Sequence, residues 1–255
     1  DGPYRDKKAY DLLIQAESGF VSITGTPDSP AKAGCSIADI AAGMYAYSNI
    51  LAALLQRGRT GKGAHIDVSM LESMVEWMGY PLYYAFDGAT PPPRAGASHA
   101  TIFPYGPFTA GDGKTIILGL QNEREWDAFC RVVLERPELT TDERFVSNSL
   151  RTQSRAALTD IITAVFSALS IEAVIERLER AQIANARMND MRDVWNHPQL
   201  KARERWTCVP SPVGIIPALL PPGTPQSFAP RMNAIPALGQ HSERILLELG
   251  YTADD

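Results

Sequence analysis

The sequence contains few cysteines and few histidines, and neither residue type is clustered. Its three cysteines, Cys35, Cys130 and Cys208, lie far apart and no Cys-x-x-Cys pair occurs, which argues against a disulfide framework and against a thiolate zinc site. The four histidines are equally scattered. We therefore expect a reduced, cytoplasmic protein that binds no metal.

An excess of basic residues and long apolar runs are also absent. Lys plus Arg number 24 against 29 for Asp plus Glu, a formal charge of -5, which argues against general nucleic-acid binding. No uninterrupted apolar run has transmembrane length, and the opening DGPYRDKKAYD does not resemble a signal peptide. We expect neither a nucleic-acid nor a membrane partner. The 255 residues, 45% hydrophobic and 21% charged, suffice for one large domain or two modest ones.

The first predicted domain covers residues 1–80 and has an α/β rhythm. Ile37 to Gln56 predicts a helix rich in small residues, which Gly58 ends. A glycine-rich loop follows, and the alternation in Ala64–Ser69 predicts a short strand. Another helix is expected at residues 70–78. Helix, loop, strand and helix in this order indicate an α/β sheet domain.

A proline- and glycine-rich linker at residues 81–100 precedes a predicted small α+β domain at 101–205. Residues 104–120 predict a hairpin that turns at Asp112 and Gly113. Asn122 followed by Glu125 then resembles a capping box at the start of a helix.

Two further helices are predicted near residues 151–168 and 170–182. From Val209 to Pro236 the chain is rich in proline and predicts extended, irregular structure. A final amphipathic helix, ended by Gly250, follows. We take residues 206–255 as an arm that returns to the large domain.

Asp39 stands at the start of the predicted helix at 37–56 and has two interpretations. Ser36 and Asp39 fit the spacing of a capping box, so the carboxylate is by spacing alone a helix cap. The positive end of the helix dipole also favours its ionised form. An ionised carboxylate is the form that can attack a thioester. Spacing alone favours the cap, and the nucleophile is the alternative.

Other motifs carry less information. The loop RGRTGKG at residues 57–63 fails the Walker spacing and precedes a strand, so we interpret it as a solvated turn. Neither G-x-S-x-G nor H-E-x-x-H is present, which leaves serine-hydrolase and zincin chemistry without support. Lys8, Tyr10 and Asp11 are by pattern a surface cluster, and His99 is a loop residue without an identifiable partner.

The chain as a whole resembles the class III CoA-transferases, among them formyl-CoA transferase and carnitine CoA-transferase. The resemblance runs in family order through DGPYRDKKAYD, ADIAAGMYAYSNILAALLQRGRTGKGAHIDVSMLESM, HATIFPYGPFTAGDGKTIILGLQN and LGQHSERILLELGY. It therefore covers nearly all of the sequence and is more specific than any single motif.

The resemblance implies roles for named residues. Asp39 falls on the catalytic aspartate of the family. CoA-binding and active-site positions fall on Lys8 and Tyr10. Substrate-binding positions are expected at Asp11 and on the loop around Ser98 and His99, and Arg94 or His99 would meet a second substrate carboxylate.

The resemblance also implies architecture. We expect an α/β fold with part of a Rossmann-like large domain, a smaller α+β domain, and an interlocked homodimer. Members begin with the first half of the large domain, which has no counterpart here. We therefore expect exposed sheet edges and apolar surface, and no activity from these 255 residues alone.

Within the family, transfer and racemisation use the same fold. The racemases place a histidine where this chain has Tyr10, and a tyrosine hydroxyl is a poor general base at neutral pH. We expect CoA transfer between an acyl-CoA and a carboxylic acid, with short dicarboxylic acyl groups as substrates. CoA is then substrate and product, and no cofactor is bound permanently. The alternatives are an α-methylacyl-CoA racemase-type isomerase and a non-catalytic dimerising fragment.

Overall fold

The computed structural model describes residues 2–223 and 227–252. The chain forms two compact units, one up to Met188 and one from Asn189 onward. The elements of the first unit are, in order, α1 (Asp11–Glu17), α2 (Phe20–Ile23), β1 (Gly25–Thr26), β2 (Ser29–Pro30), α3 (Ile37–Thr60), α4 (Met70–Trp77), α5 (Gly79–Tyr84), β3 (Tyr105–Thr109), β4 (Thr115–Gly119), α6 (Glu123–Ala128), α7 (Asn148–Gln153), α8 (Arg155–Phe166), α9 (Ile171–Arg180) and β5 (Ala184–Arg187). Those of the second are α10 (Met191–Trp195), α11 (Pro198–Ala202), β6 (Trp206–Ser211), β7 (Gly214–Leu219) and α12 (Ser242–Glu248).

Helices α1, α3 and α4 pack around a small hydrophobic cluster. Its buried members are Ile14, Ala38, Ala41 and Met74. The two alanines of α3 are fully buried, and their small size lets the neighbouring helices approach closely. This cluster fixes the first turn of α3, which carries Asp39.

Helix α3 extends past the predicted end. Gly58 lies inside it, so the prediction that Gly58 ends the helix is wrong. A glycine within a helix costs roughly 1 kcal/mol relative to alanine and does not by itself stop it. The end comes at Gly61, which adopts a φ of 70° and donates its N–H to Arg57 O, because a left-handed residue after the last turn is what closes a helix.

The strand predicted at Ala64–Ser69 is wrong. Residues 62–69 have no regular structure, and no other described segment forms a ladder with them. Alternation produces a strand only where a neighbouring strand pairs with its backbone groups. All described strand pairs are antiparallel, and the Rossmann-like domain stays a prediction.

The three-stranded antiparallel sheet β3–β4–β5 forms the base of the largest core. Its first two strands pair from Tyr105 with Gly119 to Thr109 with Thr115, which confirms the hairpin predicted at Asp112 and Gly113. Helices α6, α8 and α9 supply buried side chains to the same core. The helices predicted near 151–168 and 170–182 are confirmed as α8 and α9.

The start of α6 is capped nearly as the sequence predicts. The Asn122 side chain accepts a hydrogen bond from the Glu125 N–H at 3.0 Å, which confirms the cap. The Glu125 carboxylate accepts in return from the N–H of Gln121 at 2.6 Å, one residue earlier than a capping box requires.

Helix α3 has 24 residues, and its most apolar window has a mean hydropathy of 1.3. By length and composition alone, this suffices to cross a membrane. Helices α8 and α9 meet the same test only when taken together, and they are bent by 112°. The same composition also suits a helix that other protein covers.

The second unit contains a hairpin that the sequence did not predict. Strands β6 and β7 pair from Trp206 with Leu219 to Ser211 with Gly214, so irregular structure is wrong for residues 209–219. A two-stranded ribbon has free outer edges, which accommodate proline. Helix α12, followed by Gly250, confirms the final helix. The predicted domain boundaries stay a prediction.

Candidate functional site

The carboxylate of Asp39 lies free on the first turn of α3. Asp39 is exposed and is the third helical residue after the N-cap Ser36. Its carboxylate makes no hydrogen bond or ion pair with any residue that the structure describes. The capping box that Ser36 and Asp39 fit by spacing does not form, because the Ser36 side chain makes no cap hydrogen bond.

Asp11 takes the capping role instead. Its Oδ1 accepts a hydrogen bond from the backbone N–H of Ala38 at 2.9 Å. Its Oδ2 accepts from Gln15 Nε2 at 2.7 Å. A carboxylate at this helix start satisfies one of the unpaired N–H groups and is favoured by the dipole. Asp39 is thereby released from the capping role that spacing alone gave it.

Gln15 completes this arrangement from the buried side. It is fully buried, and its Oε1 accepts from the N–H of Ala33 at 2.8 Å. The amide therefore joins Asp11 to the segment that leads into α3. Sequence reasoning missed Gln15, although its position four residues after Asp11 places the two side chains on one helix face.

Tyr10 and Lys8 lie just before α1. Tyr10 is the N-cap residue of α1, and its side chain is 67% exposed. Lys8 is exposed and makes no hydrogen bond or ion pair within the described ranges. The neighbouring Lys7 pairs with Glu17, and the hydrogen bond to this carboxylate raises the pKa of the Lys7 ammonium.

A cleft of ≈ 840 Å³ opens beside these lysines. It is lined by the segment from Pro3 to Ala9, by α1 and by the start of α4. Both Lys7 and Lys8 line it, whereas Asp39, Arg94 and His99 do not. A cation on an open cleft is suited to contact a phosphate.

Arg94 binds backbone carbonyls. Its Nε donates to Thr26 O at 2.9 Å and its Nη2 to Pro27 O at 2.8 Å; a longer contact of 3.5 Å joins Nη1 to Ser22 O. These contacts use three of the five N–H donors of a guanidinium. Sequence reasoning did not predict this role in binding the β1–β2 hairpin.

Ser98 and His99 follow on the same loop. The Gly96 N–H donates to Gly25 O at 2.7 Å, and the His99 N–H to Tyr105 O at 2.8 Å. The loop is therefore bound to the β1–β2 hairpin on one side and to β3 on the other. The Ser98 hydroxyl makes no hydrogen bond to another described residue.

The structure thus joins Asp11 to the start of α3 and Arg94 to the hairpin that precedes it. What the arrangement offers chemically is a free carboxylate at a helix start, unpaired Lys8 on a cleft, and a polar loop.

Among the described residues, no group of three or more His, Cys, Asp or Glu side chains is placed to hold a metal ion. Burial of Cys130 raises the pKa of its thiol to about 12, which makes it unreactive.

Comparisons with known proteins agree on one family. The sequence model described as CoA-transferase family III matches residues 1–242. A succinyl-CoA:glutarate CoA-transferase of Mus musculus is 32% identical over 251 residues, 97% of this chain and 57% of that protein. A succinyl-CoA:mesaconate CoA-transferase of Haloarcula hispanica is 31% identical over 248 residues, 95% of this chain and 61% of that protein.

A solved structure is also similar. The crystal structure of a CAIB/BAIF family protein from Brucella suis superposes with a TM-score of 0.82 at 32% identity. The match covers 98% of this chain and 65% of that one. The chain therefore spans between about half and two thirds of the length of these relatives.

Proposed function

The chain belongs to CoA-transferase family III, and from that membership we propose that it transfers CoA from an acyl-CoA donor to a carboxylic acid, with Asp39 as the nucleophile. The observation that carries the assignment is the exposed Asp39 carboxylate, which has no partner in the described residues while Asp11 caps the helix. A carboxylate with no competing hydrogen bonds keeps its lone pairs for attack.

The proposed reaction proceeds through covalent intermediates on Asp39. An oxygen of its carboxylate attacks the thioester carbonyl, and CoA leaves as the thiolate, which gives a mixed anhydride. The thiolate attacks the aspartyl carbonyl, releases the donor acid and leaves an aspartyl-CoA thioester. The acceptor carboxylate repeats these steps in reverse and regenerates the free carboxylate. Each step exchanges one acyl bond for another, so no net proton transfer is needed.

One backbone N–H at the start of α3 is proposed to stabilise the developing oxyanions. The N–H of Ala38 is used by Asp11 and that of Ile40 by Ser36 O. The Asp39 N–H has no partner among the residues described, so it is free to donate to an oxyanion next to its own side chain.

The proposed substrates are short dicarboxylic acyl groups. The relatives named above are a succinyl-CoA:glutarate and a succinyl-CoA:mesaconate CoA-transferase, which supports this class. Lys8, unpaired on its cleft, is proposed to contact the phosphates of CoA, with Tyr10 beside it. Either His99 or Arg94, through its remaining donors, is proposed to meet the second carboxylate.

The proposal includes the rest of the family fold. Because the chain spans 57% and 61% of those two relatives, we propose that activity requires the Rossmann-like portion of the large domain and an interlocked homodimer. The cytoplasm is the proposed location, and no permanent cofactor is part of the proposal. The 255 residues alone are expected to be inactive.

Peptide mass mapping tests the mechanism directly. The full-length gene product is incubated with succinyl-CoA without acceptor, quenched in acid and digested. We expect CoA bound as a thioester to the peptide containing Asp39, and its release when glutarate or mesaconate is added. Turnover without any adduct on that peptide would overturn the covalent scheme. Exchange of an α-proton without CoA transfer would support the racemase alternative instead.

A further inference from the structure

Three side chains from α7 and α8 bind the backbone of the segment from His99 to Phe103. Asn148 Nδ2 donates to Thr101 O at 3.0 Å, and its Oδ1 accepts from the Phe103 N–H at 3.1 Å. Arg151 Nε donates to Phe103 O at 3.2 Å from a fully buried position. Side chains of α7 and α8 therefore fix the backbone of this segment.

Arg155 holds the first residue of the loop. Its Nη2 donates to the carbonyl of His99 at 3.1 Å, and its guanidinium lies 4.5 Å from the centroid of the Phe103 ring. Stacking on an aromatic face orients a guanidinium while leaving its in-plane donors free. Arg155 thus contacts both ends of the segment from His99 to Phe103.

The imidazole of His99 is itself fixed. Its Nδ1 accepts from the N–H groups of Thr101 and Ile102, each at 3.2 Å. The ring stacks on Tyr105 with centroids 5.3 Å apart and an interplanar angle of 13°. Since Nδ1 faces two donors, it carries no proton, and the proton of the neutral ring lies on Nε2. Within the described ranges Nε2 has no hydrogen-bond partner.

A cavity of ≈ 240 Å³ adjoins this ring. Its walls are aromatic rings and prolines, including Tyr80, Tyr84 and Pro92, and His99 also lines it. Apolar walls with a fixed polar donor are typical of sites that bind small organic molecules. An imidazole that is held in one tautomer beside such walls has one N–H to offer to a ligand oxygen.

We propose that Asn148 and Arg155 are positioning residues, which hold His99 as a neutral Nε2–H donor to a carboxylate oxygen of the acyl substrate. This inference rests on the proposed transferase function. It names two residues, 45 and 56 positions from the loop atoms that they bind, for which sequence patterns give no role. A neutral donor to a charged oxygen forms a charge-assisted hydrogen bond without an ion pair.

The test measures the tautomer and the kinetics in the same variants. In the full-length gene product labelled with ¹⁵N-histidine, the His99 signals are assigned by their loss in His99→Gln. We expect shifts of an Nε2–H tautomer in the wild type, and shifts averaged between tautomers in Asn148→Asp and Arg155→Met. The KM for glutarate or mesaconate should rise roughly tenfold in both variants and in His99→Leu. His99→Gln keeps a side-chain N–H donor and should retain most of the affinity.

Arg144→Met is the matched control. Arg144 also lies over a phenylalanine ring, that of Phe145 at 4.7 Å, but its side-chain hydrogen bonds go to Asp142. Its loss should change neither the His99 signals nor the KM. A wild-type His99 protonated on Nδ1 would overturn the inference. Unchanged His99 signals in both Asn148→Asp and Arg155→Met would also overturn it. Changed signals with an unchanged KM would do the same.

The two proposals fail in distinguishable ways. If the wild type transfers no CoA while its His99 has the Nε2–H tautomer, the proposed function falls, and the role of His99 towards substrate falls with it. If the wild type is an active transferase, but Asn148→Asp and Arg155→Met have the same His99 signals and KM as the control, the positioning role alone is wrong.

Discussion

The carboxylate of Asp11 accepts a hydrogen bond from the backbone N–H of Ala38 at 2.9 Å. This bond joins the first residue of α1 to the first turn of α3, immediately before Asp39. Asp11 therefore caps the start of α3. Asp39, in the first turn of α3, is left without a partner in the described residues. The structural carboxylate of Asp11 thus bonds to the residue that directly precedes the proposed nucleophile Asp39.

Replacing Asp11 with alanine should destabilise the protein by roughly 1–2 kcal/mol, because the Ala38 N–H loses its cap and Gln15 loses an acceptor. Urea unfolding measures this difference. Asp67→Ala is the control, since Asp67 is exposed and makes no hydrogen bond to a described residue. An Asp11→Ala protein as stable as the control would show that the bond contributes nothing.

Asp39→Asn should reduce kcat for CoA transfer by roughly 1,000-fold or more, because the amide cannot form the anhydride. The free energy of unfolding should change by less than about 0.5 kcal/mol, since the carboxylate has no partner in the described part of the chain. Steady-state kinetics and urea unfolding of the same preparation check both statements. Near-normal turnover by Asp39→Asn contradicts the proposed mechanism.

Arg151→Ala should destabilise the protein by about 3–5 kcal/mol, because the buried guanidinium satisfies several acceptors at once. It donates to both carboxylate oxygens of Glu123, at 2.6 and 3.1 Å, and to the carbonyls of Phe103 and Phe145. Glu123→Gln removes only the charge of one partner and should cost about 1–2 kcal/mol. Equal losses in the two variants would contradict this ranking.

The Asp142 carboxyl should titrate near pH 2. Hydrogen bonds from the Arg144 side chain and backbone lower its pKa from 3.8 to about 2. A lowered pKa means that the contribution to stability is present above the ordinary value and is lost as the pH falls from near 4 through about 2. Carboxyl ¹³C shifts recorded against pH measure the midpoint, and Arg144→Met should return it towards 3.8. An unchanged midpoint in that variant would assign the shift elsewhere.

Local sequence signals were sufficient to predict several elements of the fold. The hairpin at residues 112–113, the Asn122 cap and α8 and α9 are all set by residues within a few positions of one another. The sequence therefore predicts them without knowledge of the fold. The end of α3 was missed by three residues because two glycines compete there and only Gly61 takes the left-handed conformation.

The sequence did not predict contacts between residues that are far apart along the chain. The carboxylate that caps α3 belongs to a residue 27 positions earlier, so the local Ser36 signal named the wrong hydrogen-bond acceptor. The alternation at 64–69 gave a strand prediction, although a strand depends on a partner that no local pattern reveals. The anchors Asn148 and Arg155 likewise lie far from the loop that they bind.

The β1–β2 hairpin has a consequence for genetics. Gly25 has a φ of 114°, a Cβ there would lie 2.3 Å from Ser29 O, and its own carbonyl accepts from Gly96. Any side chain at Gly25 therefore forces the hairpin open and shifts the segment that leads to Ser98 and His99. A random-mutagenesis screen for lost turnover should return Gly25 substitutions, which a linear map of the gene would place more than seventy codons from the residues they disable.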